Sequence, residues 1–207
     1  MTANEPHHQP IEQIGVIGLA DGRRVNVRPS RPQDIDLLRA FFRALSDQAR
    51  YSRFMTKLGE LSPSMAQHFA DIDHVRHVAL LAYATNGGSQ SVVGEVRYIV
   101  GTDEAGSAEF AVAVAGDWQG LGLARALLAR LSGDAAAAGV RRLVADTLAG
   151  NAAMLGLARA AGFTVSENGV DRRLLRLVKE LSPKAQRRRL QRFAVPAQAE
   201  LQCSQGG

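Results

Sequence analysis

The sequence has 207 residues, of which 46% are hydrophobic, a length and composition that suit one globular domain with a sizeable buried core. Its single cysteine, Cys203, excludes an internal disulfide framework and a cysteine-based metal cluster, and it is typical of a protein of the reducing cytoplasm. No stretch approaches the roughly 18 apolar residues of a membrane helix, so we expect a cytoplasmic protein with no membrane partner.

The formal charge of +5 is concentrated at the C-terminus. From Lys184 onward five basic residues face the single acid Glu200, so this segment carries +4 and the rest of the chain is nearly neutral. We expect a basic, disordered tail over residues 182–207. No aromatic stacking platform or known nucleic-acid module accompanies it, so nucleic acid is not the favoured partner, although a nucleic-acid-binding tail remains an alternative hypothesis.

The chain begins with a segment that lacks a structural period. Residues 1–20 mix proline, glycine and polar residues, which predicts a flexible leader and places the folded domain over residues 21–181. Residues 23–28 then alternate polar and β-branched side chains, as a half-buried strand does.

Two helices are predicted after this strand. A capping box beginning at Ser30 and a proline in the first turn predict a helix over about 32–45, whose apolar residues recur at helical spacing. Ser62 and the proline after it begin a second helix, which ends near Asp71. The polar segment between them, which contains Arg53, is predicted to be a connector.

The middle of the chain changes to strand-like patterns. Residues 75–84 and 91–100 are apolar runs separated by Asn86-Gly87-Gly88, a combination that predicts an antiparallel hairpin. A third strand over 108–115 leads into a glycine-rich loop and a helix that extends to about Ala138. The remaining elements are a strand over 142–147, a helix from Asn151 to Gly162, and short strands over 163–165 and 172–178. Antiparallel strands followed by strands linked through helices predict an α/β domain with a mixed sheet.

The glycine-rich loop Gln119-Gly120-Leu121-Gly122-Leu123-Ala124 is the most informative motif. A strand that ends in glycines and opens a helix presents backbone N–H groups and the positive end of the helix dipole to one point, which predicts an anion site. Arg125 adds a cation nearby. The same pattern also occurs as a plain strand-to-helix connection, and neither the dinucleotide fingerprint nor the P-loop pattern fits these residues.

Longer segments around this loop resemble a known family. The runs AEFAVAVAGDWQGLGLARALL and GVRRLVADTLAGNAAMLGLARAAGF are similar to the GNAT superfamily of acetyl-CoA-dependent N-acetyltransferases. The family signature Q/R-x-x-G-x-G/A is met by Gln119, Gly122 and Ala124, and further similarity extends upstream through VRPSRPQD, YSRFM and DIDHVRHVALLA. Within the superfamily the chain looks most like the catalytic domain of bacterial Pat-type protein lysine acetyltransferases.

The resemblance implies a fold and a co-substrate site. The GNAT fold has a mixed, mostly antiparallel central sheet of about six to seven strands flanked by about four helices. The strand edge would pair with the pantetheine arm of acetyl-CoA, with an N–H near Val114 facing the acetyl carbonyl, and the loop would bind the pyrophosphate. The residues implied in binding acetyl-CoA are Val112, Ala113, Val114, Gln119, Gly120, Leu121, Gly122, Leu123, Ala124, Arg125 and Asn151.

Glu109 is the candidate general base, because an amine acceptor is protonated at neutral pH and must lose a proton before it attacks. It precedes the apolar strand that leads to the loop, and Pat-type domains carry their catalytic glutamate at the same EFAV position. Enclosure is expected there, whereas the alternative is a solvated glutamate at a strand end. Glu95, on the neighbouring strand, is the reserve candidate.

Two further positions carry open alternatives. Asn151 either places its amide near the pantetheine, as in the family, or caps the following helix, and one residue can do both. The family tyrosine that protonates the leaving thiolate corresponds to Ala158 here, so either solvent or Tyr98 would supply that proton. Many Pat-like relatives also lack this tyrosine.

The histidines do not predict a metal centre. His74 and His77 are three residues apart in a segment that enters a strand, and no cysteine or carboxylate cluster completes a ligand set around them or around His68. We therefore expect no metal and interpret all three as structural or surface residues.

The expected reaction is direct acetyl transfer to a primary amine. A protein lysine, such as one on an acyl-CoA synthetase, is slightly favoured over a small-molecule amine, and a catalytically silent acetyl-CoA sensor is the alternative from another class. The sequence leaves both the acceptor and the oligomeric state open.

Overall fold

The computed structural model describes residues 15–101 and 106–182. Within these residues a single sheet has the strand order β1-β2-β3-β4-β5-β6-β8-β7, and every neighbouring pair is antiparallel except β5 and β6. The strands are β1 Gly15–Gly18, β2 Arg24–Pro29, β3 His77–Asn86, β4 Ser89–Val100, β5 Ser107–Val114, β6 Arg142–Leu148, β7 Thr164–Glu167 and β8 Leu174–Glu180. The helices are α1 Ile35–Ala44, α2 Asp47–Phe54, α3 Pro63–Ala70, α4 Leu123–Ala137 and α5 Ala152–Ala160.

This architecture confirms the predicted α/β fold with a mixed, mostly antiparallel sheet. The described residues form eight strands and five α-helices, slightly more of each than expected. The added strand is β1, and the added helix is α2. No helix within the described residues is long and apolar enough to cross a membrane.

The prediction of a loosely attached leader is wrong for residues 15–20. Gly15–Gly18 pairs along its whole length with β2, and the N–H of Leu19 donates to the carbonyl of Arg23 at 2.8 Å to close the turn. Two glycines flank its Val-Ile pair, so the run is too short to show a period in the sequence. Residues 1–14 and most of the predicted tail, 183–207, lie outside the described residues.

The predicted connector between the first two long helices is also wrong, because Asp47–Phe54 forms α2. The hydroxyl of Ser46 caps this helix by accepting a hydrogen bond from the N–H of Ala49 at 3.2 Å. None of its residues is fully buried, so the apolar stripe that reveals an amphipathic helix is missing.

The helix that begins near residue 32 is capped differently from the prediction. A short 3₁₀ segment, Pro32–Asp34, precedes α1, and the Asp34 carboxylate accepts a hydrogen bond from the N–H of Arg31 at 2.9 Å. Arg28 of β2 reaches the same carboxylate at 2.7 Å in a bidentate pair. Ser30 is completely buried and its hydroxyl has no hydrogen-bond partner among the described residues, so it does not serve as the cap.

Hydrophobic side chains pack on both faces of the sheet. On one face α4 and α5 cover a core that includes Leu127, Leu131 and Tyr98, all of which are almost completely buried. On the other face α1 and α3 pack Phe42 and Phe69 against β3 and β4. The sheet is therefore a rigid central layer on which the loops at one end can form a site.

Candidate active site

The central strands β5 and β6 separate to form a fork. They pair in parallel only from Ser107 with Arg142 to Glu109 with Val144. Beyond this point β5 continues beside β4 to its last residue, Val114, whereas β6 continues beside β8. The edge of β5 after Glu109 therefore has no β6 partner and can form hydrogen bonds with a bound molecule.

Backbone groups of β5 point into this fork. The N–H of Ala115 donates to the carbonyl of Val93 on β4 at 3.0 Å, and the carbonyl of Val114 accepts a hydrogen bond from the Gln119 side chain at 2.9 Å, away from β4. Because N–H and C=O groups alternate in direction along a strand, the N–H groups of Val114 and Val112 face the fork. They form an edge on which an extended chain can add like another strand.

The glycine loop lies at the open end of the fork and begins α4. Gly120 and Gly122 have φ angles of +73° and +86°, a left-handed conformation that glycine adopts without strain. A Cβ at either position would meet no protein atom within 4 Å, so backbone conformation explains the requirement for glycine. The first-turn N–H groups of α4 have no intrahelical acceptors and, with the helix dipole, favour an anion.

The β1–β2 turn holds this loop in place. The guanidinium of Arg23 stacks on the Trp118 ring, 4.1 Å from its centroid, and Nη2 donates to the carbonyl of Asp117 at 2.9 Å. The N–H of Ala20 also donates to the carbonyl of Leu121 at 3.2 Å. The interpretation of residues 1–20 as a leader does not predict the Ala20 contact.

A cavity of 590 Å³ runs from the glycine loop along the fork. Its size matches that of an ordinary small-molecule site. Leu121 does not line it and instead packs against the main core. The predicted site residues that line the cavity are Glu109, Val112, Ala113, Val114, Gln119, Gly120, Gly122, Leu123, Ala124, Arg125 and Asn151.

One wall of the cavity comes from α2, which the sequence interpretation missed. This helix and its cap contribute polar side chains and the buried Arg53 to the end of the cavity nearest Glu109. The YSRFM segment, noted only as part of the resemblance, was the available signal for this wall. The wall residues are Ser46, Gln48, Ala49, Ser52, Arg53 and Met55.

The two candidate glutamates have different environments. The Glu109 side chain is exposed and lines the cavity at the point of the fork, so the expected enclosure is not found. Glu95 is completely buried, forms an ion pair with Arg97 and does not line the cavity. A buried and already paired carboxylate cannot meet an incoming amine, so Glu95 is not a suitable reserve base.

Asn151 is an observed N-cap. Its Oδ1 accepts a hydrogen bond from the N–H of Met154 at 3.1 Å, and its Nδ2 donates to the hydroxyl of Thr147 at 3.3 Å. Each polar atom of the amide therefore makes one hydrogen bond within the protein, and the residue also lines the cavity.

Neither position considered for the general acid presents an acidic group to the cavity. Ala158 is completely buried in α5 and has no proton to donate. Tyr98 is only 1% exposed and belongs to the core beneath α4 and α5. Because side chains alternate along β4, Tyr98 points to the face opposite Glu95, and it does not line the cavity.

The histidines are placed as structural residues. The Nε2 of the buried His77 lies 2.9 Å from Nη1 of Arg97, and its ring lies against that of His68 with centroids 5.5 Å apart. Burial, and then the charge of Arg97, lowers the pKa of His77 to about 4, so at neutral pH the ring is uncharged and Nε2 can accept from Arg97.

Comparison with known proteins identifies the family. The model of the acetyltransferase (GNAT) domain matches residues 24–164. An acetyltransferase of Pseudomonas aeruginosa is 38% identical over 116 residues, which are 56% of this chain and 62% of the relative. The chain therefore spans less than two thirds of that curated protein.

Solved structures agree with this match. The GNAT domain of S. lividans PAT is 31% identical, with a TM-score of 0.75 over 84% of this chain and 99% of that domain. A phosphinothricin acetyltransferase from Sinorhizobium meliloti, solved with acetyl-CoA, shares the fold at 17% identity, with a TM-score of 0.62 over 76% of this chain and 89% of that one. The forked strands and the glycine loop thus lie in a chain that belongs to the GNAT acetyltransferase family.

Proposed function

We propose that this protein transfers the acetyl group of acetyl-CoA directly to a primary amine, with a protein lysine as the preferred acceptor. The observation that carries the proposal is the meeting of three features in one cavity. The start of α4 offers an anion site, the edge of β5 offers N–H groups, and Glu109 lies where β5 and β6 separate. In that order, these features would bind the phosphates of acetyl-CoA, pair with its pantetheine amides and lie beside its thioester.

The co-substrate would be held by the loop and the strand edge. The N–H groups of Leu123 and Ala124 and the guanidinium of Arg125 would bind the pyrophosphate. Fork-facing backbone groups of β5 other than the Val114 N–H would pair with the pantetheine amides. The Asn151 amide is less available for this role, because its two polar atoms already contact Met154 and Thr147.

Acetyl transfer requires charge stabilisation and proton removal. The N–H of Val114 would donate to the carbonyl oxygen as the amine nitrogen attacks the carbonyl carbon, an effect typically worth about 3 kcal/mol for a well-placed donor. Glu109 would accept the proton that the amine loses, directly or through one water. The thiolate of CoA then leaves and takes a proton from solvent, since neither Ala158 nor Tyr98 can supply one.

Two observations support lysine over a small amine. The sequence resembles Pat-type protein lysine acetyltransferases, and the GNAT domain of S. lividans PAT shares 31% identity over most of this chain. Met55 and Glu109 are exposed residues of the cavity lining, so a lysine on a protein surface could reach this part of the cavity from solvent. An acyl-CoA synthetase is a suitable first protein to test. We propose the cytoplasm as the site of the reaction.

The test is an acetylation screen with labelled acetyl-CoA. Lysine peptides, an acyl-CoA synthetase, polyamines and simple alkylamines are offered to the native protein, to Glu109→Gln and to the matched control Glu167→Gln on the edge strand β7. We expect amine acetylation that falls by about a hundredfold or more in Glu109→Gln and is unchanged in Glu167→Gln. Acetyl-CoA binding with no turnover on any amine would favour the sensor hypothesis instead.

A further inference from the structure

A buried group of charges lies beneath the α2 wall of the cavity. Arg97 forms an ion pair with Glu95, contacts the imidazole of His77 and stacks on Phe69, 3.8 Å from the ring centroid. The Glu95–Arg97 pair is neutral as a unit, because one carboxylate faces one guanidinium. The ion pair and His77 thus contribute no net charge at neutral pH.

Arg53 is a second cation above the same carboxylate. Its side chain is 14% exposed and lines the cavity, while its Nη2 lies 3.9 Å from Oε2 of Glu95, too far for a hydrogen bond. Among the described residues, neither Nε of Arg53 nor Oε2 of Glu95 has a hydrogen-bond partner. An arginine keeps its proton even when buried, so the group presents a net charge of +1 to the cavity.

Two carboxylates line the same cavity, Glu109 of β5 and Asp146 of β6, and Asp146 is already paired with Arg176. Arg53 and Glu109 both line the cavity, and they attract each other electrostatically without a direct ion pair between them. The charged side chains that act on Arg53 are Glu95 and Arg97 of β4 and Glu109 of β5, with His77 of β3 and His68 of α3 behind Arg97. An acceptor amine that approaches Glu109 must therefore enter the field of a fixed guanidinium.

We infer that Arg53 supplies a fixed positive charge that favours the unprotonated, nucleophilic form of the acceptor amine beside Glu109. A nearby cation raises the free energy of an ammonium group, whereas it leaves a neutral amine almost unaffected. Because the Arg53 side chain is only 14% exposed, water screens its charge less than it screens that of a surface arginine. Arg53 thus promotes loss of the amine proton, and Glu109 receives it.

This inference rests on the proposed amine acetylation, and it is tested with the pH dependence of kcat at saturating acceptor. With butylamine as the probe, Arg53→Gln is expected to move the acidic limb of the profile to higher pH by about one unit. At pH values below the limb, kcat of the variant is then about tenfold lower than that of the native protein. At alkaline pH the native and variant rates converge. Arg53→Lys keeps the charge and the native profile, and Arg43→Gln, on the exposed side of α1, is the matched control.

A weakly basic amine separates this electrostatic role from a structural one. Trifluoroethylamine is largely unprotonated at neutral pH, so Arg53→Gln should lower its acetylation less than twofold. Should Arg53→Gln fail to fold, Arg53→Met replaces it in both assays, because a flexible apolar side chain can fill the space beside Phe54 and Phe69, whose ring centroids lie 5.2 and 5.5 Å from the guanidinium carbon.

The outcomes distinguish the two proposals. A rate that falls by the same factor at every pH and with both amines would overturn the role of Arg53 and leave the proposed function intact. A native protein that acetylates no amine at any pH would overturn the proposed function, and the role of Arg53 with it.

Discussion

Glu109 and Val144 are the last residues that β5 and β6 hold in register, and the cavity begins where this pairing ends. Glu109 is the one carboxylate that β5 contributes to the cavity wall. It lies beside the part of the β5 edge that has no β6 partner. The separation of two strands therefore creates both the surface for an extended co-substrate and the position of the candidate base.

Replacing Gly122 with alanine is expected to weaken acetyl-CoA binding about tenfold, or about 1.4 kcal/mol. The φ angle of +86° is unfavourable for any residue with a Cβ, and relieving it would move the first-turn N–H groups of α4. Isothermal titration calorimetry measures the effect. Gly116→Ala is the control, because that glycine precedes the loop, has no left-handed φ, and a Cβ there meets only open space. Equal effects of the two substitutions would contradict the explanation.

Asn151→Ala should lower the free energy of unfolding by about 1 kcal/mol through loss of the α5 cap. Serine caps helices as well as asparagine does, so Asn151→Ser should retain the native stability in urea unfolding. If the residue acts mainly as a cap, the serine variant also binds acetyl-CoA within about threefold of the native affinity. A larger loss in that variant would indicate a direct contact with the pantetheine.

Tyr98→Phe is expected to leave kcat unchanged within about twofold. The phenol lies on the core face of β4, away from the cavity, so it cannot protonate the leaving thiolate. A fall in kcat of more than about tenfold, with unchanged stability, would restore Tyr98 as a general acid. This threshold is set below the usual contribution of acid catalysis, so that even a weak general acid would be detected. Steady-state kinetics with the best acceptor from the screen provide the measurement.

Because the folded protein holds His77 as a neutral ring, we expect the protein to be less stable in mild acid than at neutral pH. The pKa of His77 is lowered from 6.5 to about 4, mainly by burial and then by Arg97, so the unfolded chain binds a proton at a pH where the folded protein does not. The stability from neutral His77 is complete above pH 6.5 and is lost as the pH falls from 6.5 to 4, by about 3 kcal/mol in all.

Urea unfolding at several pH values measures this loss. His77→Gln removes the titrating ring but keeps a side-chain oxygen that can accept from Arg97, so its stability should depend less on pH in this interval. An identical pH dependence in the two proteins would show that other groups cause the loss.

Local signals in the sequence predicted most elements of the fold. The caps at Ser62 and Asn151, the turn after Asn86 and the periods of the long strands each act over a few residues, and the structure confirms the elements they predict. The glycine loop is also a local signal, because the positive φ angle of Gly122 favours glycine whatever residues surround it.

Elements without a local signal were missed. β1 is recognisable only through its pairing with β2, and α2 has no buried stripe because one of its sides lines a cavity. The roles of the two glutamates could not be separated in the sequence for the same reason. Burial and the ion pair with Arg97 decide the environment of Glu95, and both depend on neighbouring elements.

Short segments of the chain suffice to predict the family resemblance, the alternation of strands and helices, and the loop that begins α4, because backbone conformation and hydrophobic period depend on nearby residues. The folded arrangement establishes where β5 and β6 separate, which glutamate faces the cavity and that Arg53 lies above Glu95. Those features result from contacts between residues distant in the chain, whose charges and burial no short segment specifies.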